Sequence, residues 1–409
     1  ARPWWAPYSF VSSPIALALS GIGEQSLRSL HRAVWWVHFL LDMTMLALIP
    51  WTKLIHIFTG WLALAFHSKL PDGSIKRNPA IADMIEGRED VEERFFGVGR
   101  LEHLSWKNLL DSDACIRCGR CEHNCPAAQT GKKLNPKRVM LEVRRHMEQV
   151  FALRKGQDGE KRPELHGETI APEVLWACTT CLACEKNCPM GIEHLDVIVP
   201  MRQYLVQVAS EFPQELTGFF KGIENNSNPW QVGSGKRLDW AEGLDVVPMS
   251  KRDPEKGPPE VLFFVGCAGS FDPRAVKVTQ AFVKIMKAAG VDFAVLGTEE
   301  GCCGETARRL GNEFLGQTVI EQNIETFRKY DIKKIVTCCP HGFNAFRNDY
   351  PQFGAGFEVM HHSEFILRLV RDGRLKLGSA GRQRTVAWHD SCYLGRYNSL
   401  YEQPRALLD

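Results

Sequence analysis

The sequence lacks an excess of charge of either sign, and it lacks an unbroken apolar run of membrane-spanning length. Its 50 Lys and Arg against 48 Asp and Glu leave a net charge of +2, so the bulk charge gives no reason to expect a nucleic-acid partner. The longest apolar runs, 33–49 and 54–66, hold 17 and 13 residues, whereas a membrane helix needs about 20. With 44% hydrophobic and 24% charged residues, a collagen-like, a mainly disordered or a polytopic all-membrane chain is excluded.

Cysteine, by contrast, is abundant. The chain has 14 cysteines, and eight of them lie in two tight groups with two or three residues between neighbours. In a chain of this length such spacing is typical of metal ligation, because disulfide frameworks belong mainly to small secreted domains. We therefore expect a metalloprotein in a reducing compartment.

Two of the cysteine groups share the pattern C-x2-C-x2-C-x3-C-P. They read CIRCGRCEHNCP at 115–126 and CTTCLACEKNCP at 178–189. This pattern is that of two-cluster ferredoxins, in which the fourth Cys of each run ligates the other [4Fe–4S] cluster. Structural zinc would need neither a fourth Cys before Pro nor a duplicated run. The predicted ligand sets are Cys115, Cys118, Cys121 and Cys188 for one cluster, and Cys178, Cys181, Cys184 and Cys125 for the other.

A third group of cysteines is evenly spaced. Cys267 is followed after 34 residues by Cys302-Cys303-Gly304, and after 34 more by Cys338-Cys339-Pro340-His341. The group resembles the CCG domain of the heterodisulfide reductase family, in which the motif holds a non-cubane [4Fe–4S] cluster or a related iron–sulfur centre. The resemblance implies that such a centre is bound by Cys267, Cys302, Cys303, Cys338 and Cys339. The alternative is a set of unliganded cysteines in an ordinary α/β core.

This third group departs from the family pattern at one position. Gly342 stands where the family has its last Cys, and Cys338, one residue early, is the candidate substitute. Cys392 in HDSCYLGR resembles the opening of the second copy that the family normally has. Only 17 residues follow it, so we expect the chain to be truncated at its C-terminal end.

The two apolar runs predict one long helix over about 31–66, kinked at Pro50. His38 and His56 lie 18 residues apart on it, which is five full turns and about 27 Å. Both would project from one face, near opposite edges of the roughly 30 Å hydrocarbon layer, where ionisable residues are functional candidates. The helix resembles the last helix of the cytochrome b subunit of respiratory nitrate reductase. That resemblance implies haem b ligation by both histidines, with Gly60 leaving room for the macrocycle; the alternative is a pair of interfacial histidines satisfied by neighbours or water.

The fold class that we expect is multidomain α plus α/β. The apolar stretches VLFFVG, VDFAVLG, KKIVTC and TVAWHD predict short strands that alternate with helices over 273–289 and 312–330, hence a parallel sheet. The predicted order is a C-terminal part of a cytochrome b membrane domain (1–67), a linker with a short helix (68–100), a helical two-[4Fe–4S] domain (101–221), a second linker (222–258) and an incomplete CCG α/β domain (259–409).

This order, with FGVGRLEHLSWKNLLDSDACIRCGRC and WACTTCLACEKNCPMGIEH, resembles the membrane-bound electron-transfer flavoprotein:menaquinone oxidoreductase family. The resemblance covers residues 30–409 and implies that the chain, truncated at both ends, passes electrons from a soluble flavoprotein through iron–sulfur clusters and haem b to menaquinone. It also implies the cytoplasmic membrane, with the cluster domains on the cytoplasmic side. Two alternatives stay open: a heterodisulfide reductase-like enzyme that reduces a disulfide or trisulfide, and the electron-carrying component of a glycolate or lactate oxidase-type complex.

Overall fold

A computed structural model describes residues 8–85, 87, 96–154, 164–378 and 385–408. The chain divides into two compact units, residues 1–58 and residues 59–409.

The first unit is built on one long helix. Helix α1 covers Ser12–Ala18 and α2 covers Glu24–Leu48. Two 3-10 turns follow, at Ile49–Trp51 and Lys53–Ile55. Among the described residues, Glu24–Trp51 is the one helical segment long and apolar enough to cross a membrane, with a mean hydropathy of 1.5.

The predicted single helix over 31–66 is wrong, because the chain leaves the helical conformation at Thr52. Pro50 has no N–H to donate, and Thr52 is extended, with φ −119° and ψ 176°. The Thr52 hydroxyl accepts a hydrogen bond from the Leu54 N–H at 3.4 Å, as an N-cap does. A new helix, α3, then covers His56–Ala65. His38 and His56 therefore belong to different helices, and the five-turn spacing of a continuous helix does not apply to them.

The second unit begins with a helical half. Its described helices are α4 Pro79–Ile85, α5 Trp106–Ala114, α6 Arg120–His123, α7 Pro126–Gln129, α8 Pro136–Arg154, α9 Pro172–Trp176, α10 Ala183–Lys186, α11 Leu195–Gln207 and α12 Glu215–Asn226. Helix α8 buries Val139, Val143 and Val150 at helical spacing. They belong to a core that also includes Met201 of α11 and holds several of the cysteines at its edge.

The other half of this unit is an α/β layer structure, as the sequence predicts. Its described strands, all parallel and in the order β2-β1-β3-β4, are β1 Val261–Phe264, β2 Phe293–Ala294, β3 Lys334–Thr337 and β4 Glu358–His361. The helices are α13 Gly266–Phe271, α14 Pro273–Ala288, α15 Glu305–Arg309, α16 Glu313–Lys329, α17 Pro340–Asn344, α18 His362–Arg371, α19 Cys392–Asn398 and α20 Glu402–Arg405. The predicted helices over 273–289 and 312–330 are confirmed.

One predicted strand is wrong. The segment 385–390 (TVAWHD) forms no strand, and its Val386 and Trp388 are 62% and 47% exposed. The fourth strand is β4 instead, whose Val359 pairs with Ile335 of β3. Its four residues begin with the exposed Glu358, so no apolar run marks this strand in the sequence.

Candidate metal centres

One pocket collects three cysteines of the first run and the last cysteine of the second. Its cysteine lining consists of Cys115, Cys118, Cys121 and Cys188. Burial, together with the neighbouring thiols of Cys115 and Cys188, raises the pKa of Cys121 to about 12. The four residues predicted as one ligand set are therefore neighbours in the fold.

The cysteines predicted as the second set are also neighbours. Burial raises the pKa of Cys178, and the nearby Cys181 and Cys125 raise it further, against the lowering effect of Arg202. Burial also raises the pKa of Cys184, with smaller contributions from Glu185, Cys178 and Cys181. Cys125 thus reaches the run to which it does not belong in sequence.

The two runs curl around their sites with the same backbone conformation. Arg117 and Gly119 of the first run have φ of 58° and 81°, and the equivalent Thr180 and Leu182 of the second have φ of 50° and 65°. A β-branched residue such as threonine rarely adopts a positive φ, so the surrounding fold must hold this loop in place. The Thr180 N–H donates to Cys178 Sγ at 3.4 Å, and the curled loop therefore turns a backbone donor towards sulfur.

The third cysteine group lies at the carboxyl edge of the sheet. Cys267 follows β1 by three residues, and Cys338–Cys339 directly follows β3. β1 and β3 are adjacent in the sheet. The chain continues from β1 to β2 at one edge of the sheet and from β3 to β4 at the other edge. This position is the topological switch point, where open parallel sheets bind their ligands.

Four of the five predicted thiols interact at this switch point. A hydrogen bond with Cys302 and then burial raise the pKa of Cys267 well above its usual value. Cys303 is hydrogen-bonded to Cys302 and is close to Cys339, whose thiol accepts hydrogen bonds from the backbone N–H groups of His341 and Gly342. Gly342, where the family has a cysteine, therefore serves the site through its backbone.

The side chains of Cys338 and Cys392 pack against other apolar clusters. The Cys338 side chain packs against the cluster around Phe282 and Phe365, whereas Cys267 and Cys302 share a different apolar cluster. Cys392 begins α19 and packs on the same apolar cluster as Cys178, and Arg396 donates both to Cys392 Sγ and to the Cys181 carbonyl oxygen. It therefore neighbours the second ferredoxin-type run, and the thiols at the switch point lie in other clusters.

A buried ion pair supports the switch-point thiols. The Arg237 and Glu300 side chains are 1% and 2% exposed and lie 3.0 Å apart. Arg237 Nη2 donates to Cys267 Sγ at 3.6 Å, and Glu300 accepts from the backbone N–H groups of Val265 and Gly266 at 2.9 and 2.8 Å. A guanidinium is thus held where it favours a thiolate at Cys267.

The chain matches two known domain families, one in its helical half and one in its α/β half. Residues 111–192 match the 4Fe-4S dicluster domain, and residues 261–347 match the cysteine-rich domain. The chain is 40% identical to EtfAB:quinone oxidoreductase of Syntrophomonas wolfei, over 98% of this chain and 58% of that protein. It is 27% identical to one component of the dihydromethanophenazine:CoB--CoM heterodisulfide reductase of Methanosarcina barkeri, over 75% of each chain.

This chain is a homologue of those two proteins. It is also 39% identical to a probable membrane-anchored ferredoxin of Chromohalobacter salexigens, over 86% of this chain and 55% of that protein. The chain thus spans little more than half the length of these two bacterial relatives. No solved structure matches it.

The thiols of the dicluster domain fit iron–sulfur clusters. Each of its two groups offers four cysteines, the number that a [4Fe–4S] cluster uses. Among the described residues, no group of three or more His, Cys, Asp or Glu side chains is arranged for a single metal ion. Cluster ligation does not require that arrangement, because each thiolate binds a different iron. Burial keeps the pKa of Cys115 and Cys188 raised, so cluster binding must displace protons from these thiols.

The two histidines predicted as haem ligands have local partners. His56 Nδ1 lies 2.5 Å from the Lys53 carbonyl oxygen and must donate to it, which leaves Nε2 for a metal, as in many metal-ligating histidines. His38 Nε2 lies 3.2 Å from an Asp42 carboxylate oxygen. A Cβ at Gly60 would lie 2.1 Å from the terminal methyl of Met190. The space beside Gly60 is therefore taken by the dicluster domain.

Sequence reasoning missed the arginines and tyrosines around the cysteines. Arg202, which is 2% exposed, donates to the carbonyl oxygens of Leu175 and Cys178 and, through Nη1, to that of Arg309 at 3.0 Å. Tyr393 and Tyr397 of α19 reach Thr180 of the second run. No local pattern marks these residues, because their most distant partners lie more than 100 positions away in the sequence.

Proposed function

We propose that the chain is the electron-transferring part of a membrane-anchored oxidoreductase that takes electrons from a soluble flavoprotein, the electron-transfer flavoprotein, and delivers them to menaquinone. The observation that carries the proposal is that the two cysteine sets of the dicluster domain have different neighbours. Cys188 is two residues from Met190, which contacts α3 at Gly60. Cys178 is two residues from Thr180, which bonds Tyr397 of the α/β half. One cysteine set thus adjoins α3 and the other adjoins the α/β half, as a relay requires.

The ligand sets follow from the neighbouring thiols. One cluster would be held by Cys115, Cys118, Cys121 and Cys188, the other by Cys178, Cys181, Cys184 and Cys125. The centre of the cysteine-rich domain would be held by Cys267, Cys302, Cys303 and Cys339, with Cys338 as a further thiol in the same motif. Bound iron–sulfur groups accept and return single electrons, while the protein positions them and tunes their potentials.

The membrane part of the proposal rests on the segment Glu24–Trp51 and on the relative named a membrane-anchored ferredoxin. We place the chain in the cytoplasmic membrane, with the cluster domains on the cytoplasmic side, where clusters are assembled. Lys69, Lys76 and Arg77 follow the apolar region, in the sense of the positive-inside rule. Protease added to right-side-out vesicles should leave the cluster domains intact, and their cleavage would reverse the topology.

Haem b ligation by His38 and His56 remains part of the proposal. His56 offers Nε2, and its Nδ1–H is already oriented by Lys53. His38 would have to exchange its contact with Asp42 for the iron. Single His38→Ala and His56→Ala variants in membranes should each lose one b-type haem by the pyridine haemochrome assay. Full haem content in both variants would remove haem from the proposal.

A second candidate function is reduction of a disulfide or trisulfide at the cysteine-rich domain. The similarity to the heterodisulfide reductase of Methanosarcina barkeri favours it, since the matched component is covered over 75% of its length. The gathered switch-point thiols number four, one fewer than the motif offers. Gly342 also stands where the family has its last cysteine, which favours an electron-transferring centre over a substrate-cleaving one.

The test of the main proposal uses the protein in its native membranes. Reduced electron-transfer flavoprotein should produce the electron paramagnetic resonance (EPR) signals of the reduced clusters, and a menaquinone analogue should reoxidise them. A disulfide substrate should leave the signals unchanged. Reoxidation by the disulfide and not by the quinone would favour the second candidate, and no reduction by the flavoprotein would contradict the donor assignment.

A further inference from the structure

Three aromatic rings form a continuous stack in the α/β half. The ring centroids of His341 and Tyr393 are 4.0 Å apart with an interplanar angle of 26°, and those of Tyr393 and Tyr397 are 4.4 Å apart at 11°. The two tyrosines are buried, at 5% and 4% exposed. We call these three residues the ring stack.

One end of the ring stack adjoins the switch-point thiols. His341 is two residues after Cys339, and its Nδ1 lies 3.0 Å from a Glu305 carboxylate oxygen. Glu305 itself is two residues after Cys303. This end is therefore joined to Cys339 by a short stretch of backbone and to the Cys303 segment through the contact with Glu305.

The other end adjoins the second run of the dicluster domain. The Tyr397 hydroxyl donates to the Thr180 carbonyl oxygen, and the Tyr393 hydroxyl lies 3.1 Å from the Thr180 hydroxyl. The Thr180 N–H in turn donates to Cys178 Sγ. An unbroken chain of contacts thus leads from Cys339 to Cys178.

A buried cation holds the tyrosines in the ring stack. The Arg309 guanidinium carbon lies 5.7 Å from the Tyr393 ring centroid and 5.2 Å from that of Tyr397. Its Nε donates to Glu305 at 2.9 Å, and Arg309 is only 3% exposed. Cation–π attraction between this guanidinium and both rings fixes the rings between the two cysteine groups.

We propose that the ring stack is the electron-transfer contact between the centre of the cysteine-rich domain and the cluster site at Cys178, Cys181, Cys184 and Cys125. One electron leaves the first site, which is oxidised by one electron, and arrives at the second, which is reduced by one; no bond is made or broken and no proton moves. The cluster site at Cys115 is then the distal one, beside α3. This inference rests on the proposed electron-transfer function but does not depend on the identity of the donor.

The experiment injects electrons without the flavoprotein. Photogenerated methyl viologen radical is mixed with the full-length protein in detergent, and cluster absorbance is followed for a first-order phase that does not depend on protein concentration. Such a phase reports transfer within the molecule. Tyr393→Leu and Tyr397→Leu should lose this phase, while equilibrium EPR shows every centre present at unchanged midpoint potential. Tyr401→Leu is the matched control, because Tyr401 packs on Gly395 of the same helix but lies outside the ring stack; it should keep the phase.

The His341→Leu variant tests the same path if the tyrosine variants lose their clusters. The His341 side chain is 47% exposed, so its replacement tests the path with little loss of core packing, and this variant should also lose the phase. An unchanged phase in His341→Leu, or in a tyrosine variant that retains its clusters, would overturn the proposal, as would a wild-type protein with no such phase. Failure of the flavoprotein to reduce a protein that shows the phase would instead count against the donor assignment alone.

Discussion

Lys107→Met should destabilise the dicluster domain through two buried carboxylates. Lys107 Nζ lies 2.7 Å from Asp111 and 3.0 Å from Glu193, and the three side chains are 8%, 0% and 8% exposed. Asp111 also accepts the Glu193 N–H at 3.3 Å, which fixes the segment that follows Cys188. Without the ammonium group, both carboxylates stay buried without their cation. Removing one partner of a buried ion pair costs about 3–5 kcal/mol.

The loss should depend on pH, because Asp111 titrates in an accessible range. Burial raises its pKa from 3.8 to about 6, even though Lys107 lowers it. A folded-state pKa above the unfolded value means that the folded state binds more protons between the two values, so stability falls as pH rises through this window. At about 1.4 kcal/mol per pKa unit, the wild-type protein loses about 3 kcal/mol from this group between about pH 4 and pH 6. In Lys107→Met the window moves upward, so the variant should differ less from wild type at pH 5 than at pH 8.

The assay is urea unfolding of the purified protein at pH 5 and pH 8, followed by cluster absorbance and far-UV circular dichroism. Lys133→Met is the matched control, because Lys133 and Glu173 form an ion pair whose side chains are 70% and 65% exposed. Such a pair contributes only about 0–1 kcal/mol. A Lys107→Met variant no less stable than Lys133→Met at pH 8, or one more damaged at pH 5 than at pH 8, would refute the reasoning.

The remaining predictions concern the cysteine-rich domain and its attachment. Cys339→Ala should remove the iron of this centre, while Cys338→Ala should retain it by iron analysis and EPR; equal losses would show that both thiols are ligands. Arg237→Met should lower the free energy of unfolding by about 3–5 kcal/mol, and adding Glu300→Gln should restore part of it; a neutral single variant would contradict the role of the ion pair. Gly311→Ala, whose Cβ would lie 2.5 Å from the Arg202 carbonyl oxygen, should cost about 1–3 kcal/mol more than Gly354→Ala. Both glycines have positive φ, of 89° and 73°, and Gly354 has open space, so equal costs would refute the clash.

The grouping of the ferredoxin-type cysteines could be predicted from the sequence because it follows from their local spacing. Two runs with the same pattern, each closed by Pro126 or Pro189, predict eight ligands and their exchange between runs, and the fold brings each predicted set of thiols together. The parallel sheet was predictable for a similar reason, since β1 and β3 are short apolar runs. Strand β4 has no such apolar run, whereas the exposed segment 385–390 resembles one but forms no strand.

The remaining features depend on contacts that no local pattern encodes. Tyr397 meets Thr180 across 217 positions and Arg202 meets Arg309 across 107. The long helix ends because Pro50 has no N–H to donate and because the Thr52 hydroxyl caps a new helical turn after it. Apolar residues continue on both sides of this break, so the sequence pattern does not show where the helix ends.

The exchange of ligands between the two runs is the central claim, and paired serine variants test it most directly. Cys118→Ser and Cys188→Ser should abolish the same cluster EPR signal, and Cys181→Ser and Cys125→Ser should abolish the other. Each variant should retain the four iron atoms of the unaffected cluster. Matching losses for Cys188→Ser and Cys181→Ser would contradict the account, because each run would then ligate its own cluster.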